Sequence, residues 1–226
     1  EDSSKSETHA LVVRLDDTKR DLTHSNGVWD KQCTEKEEGH DTVLSYSDGS
    51  MKDCGTTGSG AWHVKGCSLA YSHRGYPGAH ALSSGRVELL YTLRCLGSTR
   101  LAGWTGKIHH RLDNEGVVKK CRHISRGAKT EAGADAGLWT AMCTYLEEWK
   151  DETTISWVKG HAEDGGAKTN DHEKQNKWAD EKAEEAYEHP ETPLYRSRYC
   201  SQFDTVHRTP LNQSLSQRTF TLSKIR

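Results

Sequence analysis

Four carboxylates stand where the structural signals along this chain change. Asp48 ends the β-branched and aromatic run "TVLSYS" (42–47) and opens Asp48-Gly49-Ser50, a turn signal. Glu88 lies within "SSGRVELLYTLRCL" (83–96), a helical stretch with Ser at its start. Asp113 follows directly on the strand-like "KIHHRL" (107–112), and Asp180 falls in the first turns of the helical "NKWADEKAEEAY" (176–187). Clustered carboxylates repel one another and favour protonation, a penalty that hard divalent cations remove. Mg²⁺ takes oxygen ligands and keeps waters, which suits phosphate chemistry. Two such ions about 3.5–4 Å apart would clamp the attacking and leaving oxygens of an in-line displacement at a phosphodiester. Taken singly, each residue has a plainer explanation: Asp-Gly is usually a turn, a helical Glu is usually solvated, and Asp after a strand often caps a helix. The joint pattern carries the weight. A fifth group is His161 in "WVKGHA" (157–162), where a strand ends, Gly160 frees the backbone and an imidazole stands on a Gly-rich, charged loop (163–175). It can take or hand on a proton, or help a product leave.

The elements expected to position these groups alternate regularly. "TVLSYS" (42–47), "SGAWHV" (59–64) and "SLAYS" (68–72) read as an antiparallel meander, the last two joined by Lys65-Gly66-Cys67. Residues 83–96 form an amphipathic helix with Val87, Leu89, Leu90, Leu93 and Leu96 as its apolar positions, and 107–112 a strand. "NEGVVKKC" (114–121) is a short helix. Leu138, Ala141, Met142, Tyr145, Leu146 and Trp149 give the cleanest helical stripe, within 133–150. "TTISWV" (153–158) is the last strand and 176–187 the last helix. The order β-β-β-α-β-α-α-β-α implies an α/β fold, a mixed five-stranded sheet with helices on its faces. With the first and fourth strands as parallel neighbours, Asp48 and Asp113 emerge side by side at a crevice where strand order reverses, and packed helices bring in Glu88 and Asp180.

Composition sets the outer bounds. The 226 residues suit one ordinary domain with tails, and 33% hydrophobic content with a mean hydropathy of −0.88 is lean for a chain packed throughout. The 31 Lys+Arg against 33 Asp+Glu exclude a uniformly basic protein. No apolar run approaches the roughly 20 residues of a membrane helix. Seven cysteines, an odd number without any C-x-x-C, fit reduced thiols in the cytosol or nucleus better than a disulfide scaffold or zinc ribbon. His109-His110 points to opposite strand faces, which argues against a metal pair. Residues 1–41 hold eleven Asp/Glu against six Lys/Arg and read as an acidic linker or the remnant of an upstream domain. Residues 189–226 begin with the helix-breaking "HPETP" and form a basic tail expected to be irregular. A start at Glu1, with no Met or signal segment, is expected of a piece of something longer.

The segments "SYSDGSMKDCGTTGSGAW" (45–62), "SSGRVELL" (83–90), "RLDNEGVV" (111–118), "WVKGHAED" (157–164) and "NKWADEKAEEA" (176–186) resemble, in order, those of type 1 ribonucleases H. The resemblance is strongest to the ribonuclease H domains of retroelement reverse transcriptases and covers residues 42–188. It implies a ribonuclease-H-like mixed five-stranded sheet of order 3-2-1-4-5 flanked by helices. It places catalytic, metal-holding acids at Asp48, Glu88, Asp113 and Asp180, and the catalytic loop histidine at His161. It implies two Mg²⁺ ions, for which Mn²⁺ often substitutes, and hydrolysis of the RNA strand of an RNA–DNA hybrid, leaving a 3′-hydroxyl and a 5′-phosphate. Gly49 and Ser50 match backbone groups that touch the RNA strand. Ser84, Gly85 and Asn176 match polar positions that line the minor groove or hold the metal-site helix. Discrimination between strands rests on the 2′-hydroxyl, a donor and acceptor that DNA lacks. A covalently linked reverse transcriptase domain is the implied partner.

Three departures stand out. Glu115 occupies a position where some members carry a Gln that reads the hybrid. Arg122, His123, Arg126 and Lys129 are a thin substitute for the basic protrusion of some bacterial members, and the loop from His161 to Asp180 is long. The first two predict weak intrinsic affinity, which tethering to a polymerase would offset through effective concentration. Two other readings compete: a degenerate module that only binds nucleic acid or protein, and another nuclease or transposase of the same fold superfamily. The intact acidic set argues against the first, since a pure binder gains nothing from buried carboxylates facing phosphates. Glu88 and the "VKGH" loop argue against the second.

Overall fold

The computed structural model describes residues 29, 33–37, 40–52, 57–67, 69–74, 83–128, 135–160, 170–189 and 194–195. In chain order these form β1 (Glu35–Glu37), β2 (His40–Lys52), β3 (Thr57–Val64), β4 (Ala70–Arg74), α1 (Ser84–Leu101), β5 (Lys107–Leu112), α2 (Glu115–Ser125), α3 (Ala136–Trp149), β6 (Thr153–Trp157), α4 (Asp171–Glu188) and β7 (Leu194–Tyr195). The sheet runs β6-β5-β2-β3-β4-β7. Its five main strands therefore have the order 3-2-1-4-5 expected from the sequence. β2, β3 and β4 pair antiparallel, whereas β5 joins β2 in parallel (Val43 opposite Ile108) and β6 joins β5 in parallel. Two short strands extend the sheet beyond 42–188: β1 on the start of β2, and β7 on β4.

Burial follows from which strands are covered on both faces. Every residue of β3 is buried, because α1 packs on one side and α4 on the other. β5 instead alternates: Ile108, His110 and Leu112 are buried, whereas Lys107, His109 and Arg111 are half-buried on a face that α4 scarcely covers. The adjacent histidines thus point to opposite faces. α1 lies between two apolar clusters. Leu89 and Leu96 join Ile108, Leu112, Met142 and Leu146 beneath β5 and β6, while Tyr91 and Cys95 join Val43, Trp62 and Tyr71 beneath β2–β4. Each fully buried side chain of this size contributes about 1.5–3 kcal/mol.

Local signals fix the helix starts. Ser83 caps α1 by accepting from Arg86 N at 3.1 Å, and Asn114, rather than Asp113, caps α2 by accepting from Val117 N at 3.1 Å. α4 opens on a reciprocal box in which Asn170 accepts from Glu173 N and Glu173 accepts from Asn170 N.

Two expectations are corrected. Asp48-Gly49-Ser50 is not a turn: β2 continues through it to Lys52, pairing Asp48 with Ala61, Gly49 with Gly60 and Ser50 with Ser59. Tertiary packing overrides the local turn signal here, because α1 presses on β2 at Gly49. α4 begins at Asp171, not near 176, so Asp180 is not in its first turns but is the tenth residue of the helix. The polar stretch before 176 masks a helix whose start is set by its capping box.

Candidate active site

β2 alternates its side chains, and that alternation assembles the site. Tyr46 and Asp48 share the face toward α4, where Tyr46 Oη and His172 Nδ1 are 2.8 Å apart. Gly49 faces α1, and a β-carbon there would lie 2.8 Å from Glu88 N and 2.9 Å from the Val87 carbonyl carbon. Only glycine permits this backbone-to-backbone approach, which brings Glu88 in the second turn of α1 up to Asp48. The parallel pairing of β2 with β5 ends at Tyr46–Arg111, so Asp48 and Asp113 follow on adjacent strands just past it. The indole Nε1 of Trp157, the last residue of β6, donates to the Asp113 carbonyl at 2.9 Å. α4 is fixed against β3 by Ser59 Oγ donating to the Ala183 carbonyl at 2.6 Å. This places Asp180 on the same crevice.

Asp48, Glu88 and Asp113 each present an oxygen within 4.8 Å of the others, the one such group of potential metal ligands among the described residues. Asp48 and Glu88 are 6% and 3% exposed, so neither charge is relieved by bulk water. Burial pushes Asp48 up to about 7; a hydrogen bond with Glu88 pulls it down, and the Asp113 and Asp180 carboxyls push it further up. Burial, followed by Asp48 and Asp113, raises Glu88 well above the usual carboxylate range. Glu88 Oε2 is buried with no hydrogen-bond partner. Oxygen-only donors, mutual repulsion and an unpaired inward oxygen are what a hard divalent cation satisfies, so the residues present fit Mg²⁺ or Mn²⁺.

The crevice has a volume of about 300 Å³ and is lined by Asp48, Gly49, Ser50, Met51, Ser84, Glu88, Asp113, Asn114 and Asp180. Four of the expected acids therefore converge, with Ser50 and Ser84 on the rim. The Gly49 N–H donates to Asp48 Oδ1 at 2.7 Å, orienting the carboxylate. Gly85 packs beside Asn114 and Val117 instead of lining the crevice. Asn176 is 1% exposed with its Oδ1 unpartnered, inside the α4 packing face rather than on the rim. His161 lies outside the described residues, but Gly160 before it abuts Asp113: a β-carbon at 160 would fall 2.0 Å from Asp113 Oδ2. Met51 and Asn114 are lining residues the sequence reading did not single out. Asn114 carried a usable signal as an Asn directly before a helical pattern, and Met51 carried none.

No protein-family model matches the chain, and no curated protein matches it. Solved structures do. The structure of LC11-RNase H1 in complex with an RNA/DNA hybrid matches with a TM-score of 0.50 at 13% identity, covering 66% of this chain and 99% of that one. The N-terminal RNase H domain of Rv2228c from Mycobacterium tuberculosis matches at 0.49 and 14%, covering 66% and 96%. The protease–reverse transcriptase of prototype foamy virus matches at 0.49 and 16%, covering 70% of this chain and 22% of that one. The chain has the fold of type 1 ribonucleases H, with two buried acids and one half-buried acid clustered at the carboxyl edge of its parallel strands.

Proposed function

We propose that the chain is an endonuclease that hydrolyses the RNA strand of RNA–DNA hybrids with two divalent ions, as the ribonuclease H part of a retroelement reverse transcriptase. The observation that carries this is the convergence of Asp48, Glu88 and Asp113 within 4.8 Å, with Asp180 on the same crevice. In this reading residues 42–188 are the nuclease domain, flanked by an acidic segment and a basic tail.

Asp48, Glu88, Asp113 and Asp180 hold the ions. When bound, Mg²⁺ or Mn²⁺ supplies charge neutralisation and Lewis acidity at a phosphodiester. The chain's own groups do the rest. The Gly49 N–H holds Asp48 in one orientation. Ser50, and the exposed Ser84 at the start of α1, offer hydroxyls toward the 2′-hydroxyls that mark an RNA strand. Gly85 lies beside Asn114 and Val117 at the start of α1, and the buried Asn176 belongs to the helix that carries Asp180. His161, on the loop that follows Gly160, takes or hands on a proton. Seven cysteines, an odd number without any C-x-x-C, support a reducing cytosolic or nuclear setting. None of the described helices is long and apolar enough to cross a membrane.

The test is cleavage of a hybrid labelled on its RNA strand, with and without Mg²⁺, by the native chain and by Asp48→Asn and Asp113→Asn. Metal-dependent cutting that both variants lose by at least about 100-fold supports the reading. Undiminished cutting by both, or preference for duplex DNA, rejects it.

A further inference from the structure

The flank of the sheet that α4 leaves open carries a second constellation, separate from the acidic crevice. His109 on β5 projects there, between β1 and β6. Its Nδ1 lies 2.7 Å from Glu37 Oε2, and its Nε2 lies 2.6 Å from Ser156 Oγ. Arg111, two residues along the same strand face, holds the other Glu37 oxygen at 3.2 Å through Nη2. The sequence separations of 72 and 47 residues show that the sheet, not local chain geometry, builds this row.

The protonation pattern follows from the partners. Arg111 Nη2 also lies 3.1 Å from His109 Nδ1, so two arrangements of the ring proton compete. The Glu37 contact is shorter, and an unprotonated Nδ1 would set a lone pair against a carboxylate. Burial works to raise Glu37, but His109 and Arg111 together outweigh it and hold the carboxyl below its ordinary range. Glu37 is therefore the acceptor and Nδ1 carries the proton. In the neutral ring this sets the Nε2 lone pair against the Ser156 hydroxyl. A nucleophile within hydrogen-bond reach of a base, itself oriented by a third group, is the arrangement that activates a serine.

The row is also reachable. The side chains of His109 and Glu37 are 16% and 30% exposed, Ser156 is half-buried, and Thr154 on the same face of β6 is exposed. Four residues of strand, about 13 Å, separate His109 from Asp113, so the row does not share the acidic crevice.

We propose that Ser156, with His109 as base and Glu37 as its orienting carboxylate, is an acyl-acceptor site that takes an acyl group from a small activated thioester. Ser156 Oγ bonds to the carbonyl carbon as its proton passes to His109 Nε2. The carbon–sulfur bond then breaks, and the departing thiolate takes the proton from His109. The products are an acylated Ser156, a free thiol and a neutral imidazole, with no further reactant required.

The probe is an alkyl fluorophosphonate, which traps activated serines by forming an Oγ–P bond and releasing fluoride. An aryl thioacetate serves as the acyl donor. Both are applied to the folded full chain, and adducts are located by peptide mass spectrometry. Modification at Ser156 by both reagents is expected, lost on prior denaturation. His109→Gln is expected to slow it about 100-fold and Glu37→Gln by at least about tenfold. Circular dichroism checks that each variant is folded, and Glu37→Gln alone decides if His109→Gln is not. Ser156→Ala should remove the adduct and leave hybrid cleavage unchanged. An unmodified Ser156 in folded protein, or wild-type labelling rates in a folded Gln variant, overturns the proposal. Neither result bears on the nuclease reading.

Discussion

Gly160 faces the Asp113 carboxylate so closely that a β-carbon at 160 would sit 2.0 Å from Oδ2 and 2.9 Å from Cγ. The Asp113 Cβ, at 3.0 Å, needs to give by only a few tenths of an ångström, while the closest clash is with the end of the side chain, a carboxyl that can rotate away. What it loses is its place beside Asp48 and Glu88. Gly160→Ala is expected to leave the melting temperature within a few degrees of native, yet reduce hybrid cleavage by at least about 100-fold, as a displaced group of this kind does. Cleavage rates and thermal melts on the same sample check this.

Asp48 and Glu88 make the metal-free protein carry a penalty that grows with pH. Their folded pKa values lie above the unfolded ones, with Asp48 at about 7 against an ordinary 3.8. The folded state therefore holds protons that the unfolded chain has released. Stability falls as pH rises from about 4 through about 7. Asp48→Asn removes one of the repelling charges. In chelator at pH 8 it is expected to raise unfolding stability by about 2 kcal/mol while abolishing hybrid cleavage. Mg²⁺ should stabilise the native chain at pH 8 far more than at pH 4.5. Urea midpoints with and without metal would measure both effects.

The sequence showed the site's membership better than its surroundings. The elements and their succession were legible because hydrophobic period and residue order report them, whereas the strand order and the gathering of the four acids came from the motif resemblance. Asp48 was misread as part of a turn, because local turn chemistry cannot anticipate that α1 needs a glycine at 49. The start of α4 was missed because an apolar stripe is absent there and only the Asn170–Glu173 box marks it. Polar positions inside α1 were invisible for the opposite reason. Thr92, Arg94, Ser98 and Arg100 are buried because the helix is covered on both flanks, which an amphipathic reading does not expect.

His110 sets an opposing pH dependence. It is fully buried, with Nδ1 2.9 Å from Ser45 Oγ and Nε2 3.0 Å from Ser47 Oγ, and burial pushes its pKa down to about 3. Below about 6.5 the unfolded chain takes up a proton that the folded chain refuses, so this residue makes stability fall as pH drops from 6.5 toward 3. Between about pH 4 and 6.5 its single proton offsets only one of the two held by Asp48 and Glu88, so the native metal-free chain should still lose stability as pH rises, but less steeply than the two acids alone would make it. His110→Gln, which keeps an amide within reach of both serines, should steepen the decline with rising pH. Asp48→Asn, which leaves Glu88 and His110 opposed one to one, should flatten it. Urea midpoints at half-unit pH steps would show the two slopes diverging.

Arg100 tests whether the far end of the fold can be weakened without touching the chemistry. It is 4% exposed at the carboxyl end of α1, where a cation suits the helix dipole. Its guanidinium donates to the carbonyls of Trp104 at 3.0 Å, Gly106 at 2.8 Å and Glu152 at 3.4 Å, reaches Tyr145 Oη and Thr153 Oγ1, and lies 4.0 Å from the Trp149 ring centroid. Arg100→Met keeps much of the volume but strands buried carbonyls, at a cost of about 3 kcal/mol. Arg100→Lys restores the charge without the planar fork and should recover only part of that. Because these contacts lie away from the acidic crevice, both variants should cleave the hybrid at native rates well below their lowered melting temperatures. A parallel loss of cleavage at those temperatures would show that the two ends of the sheet are coupled.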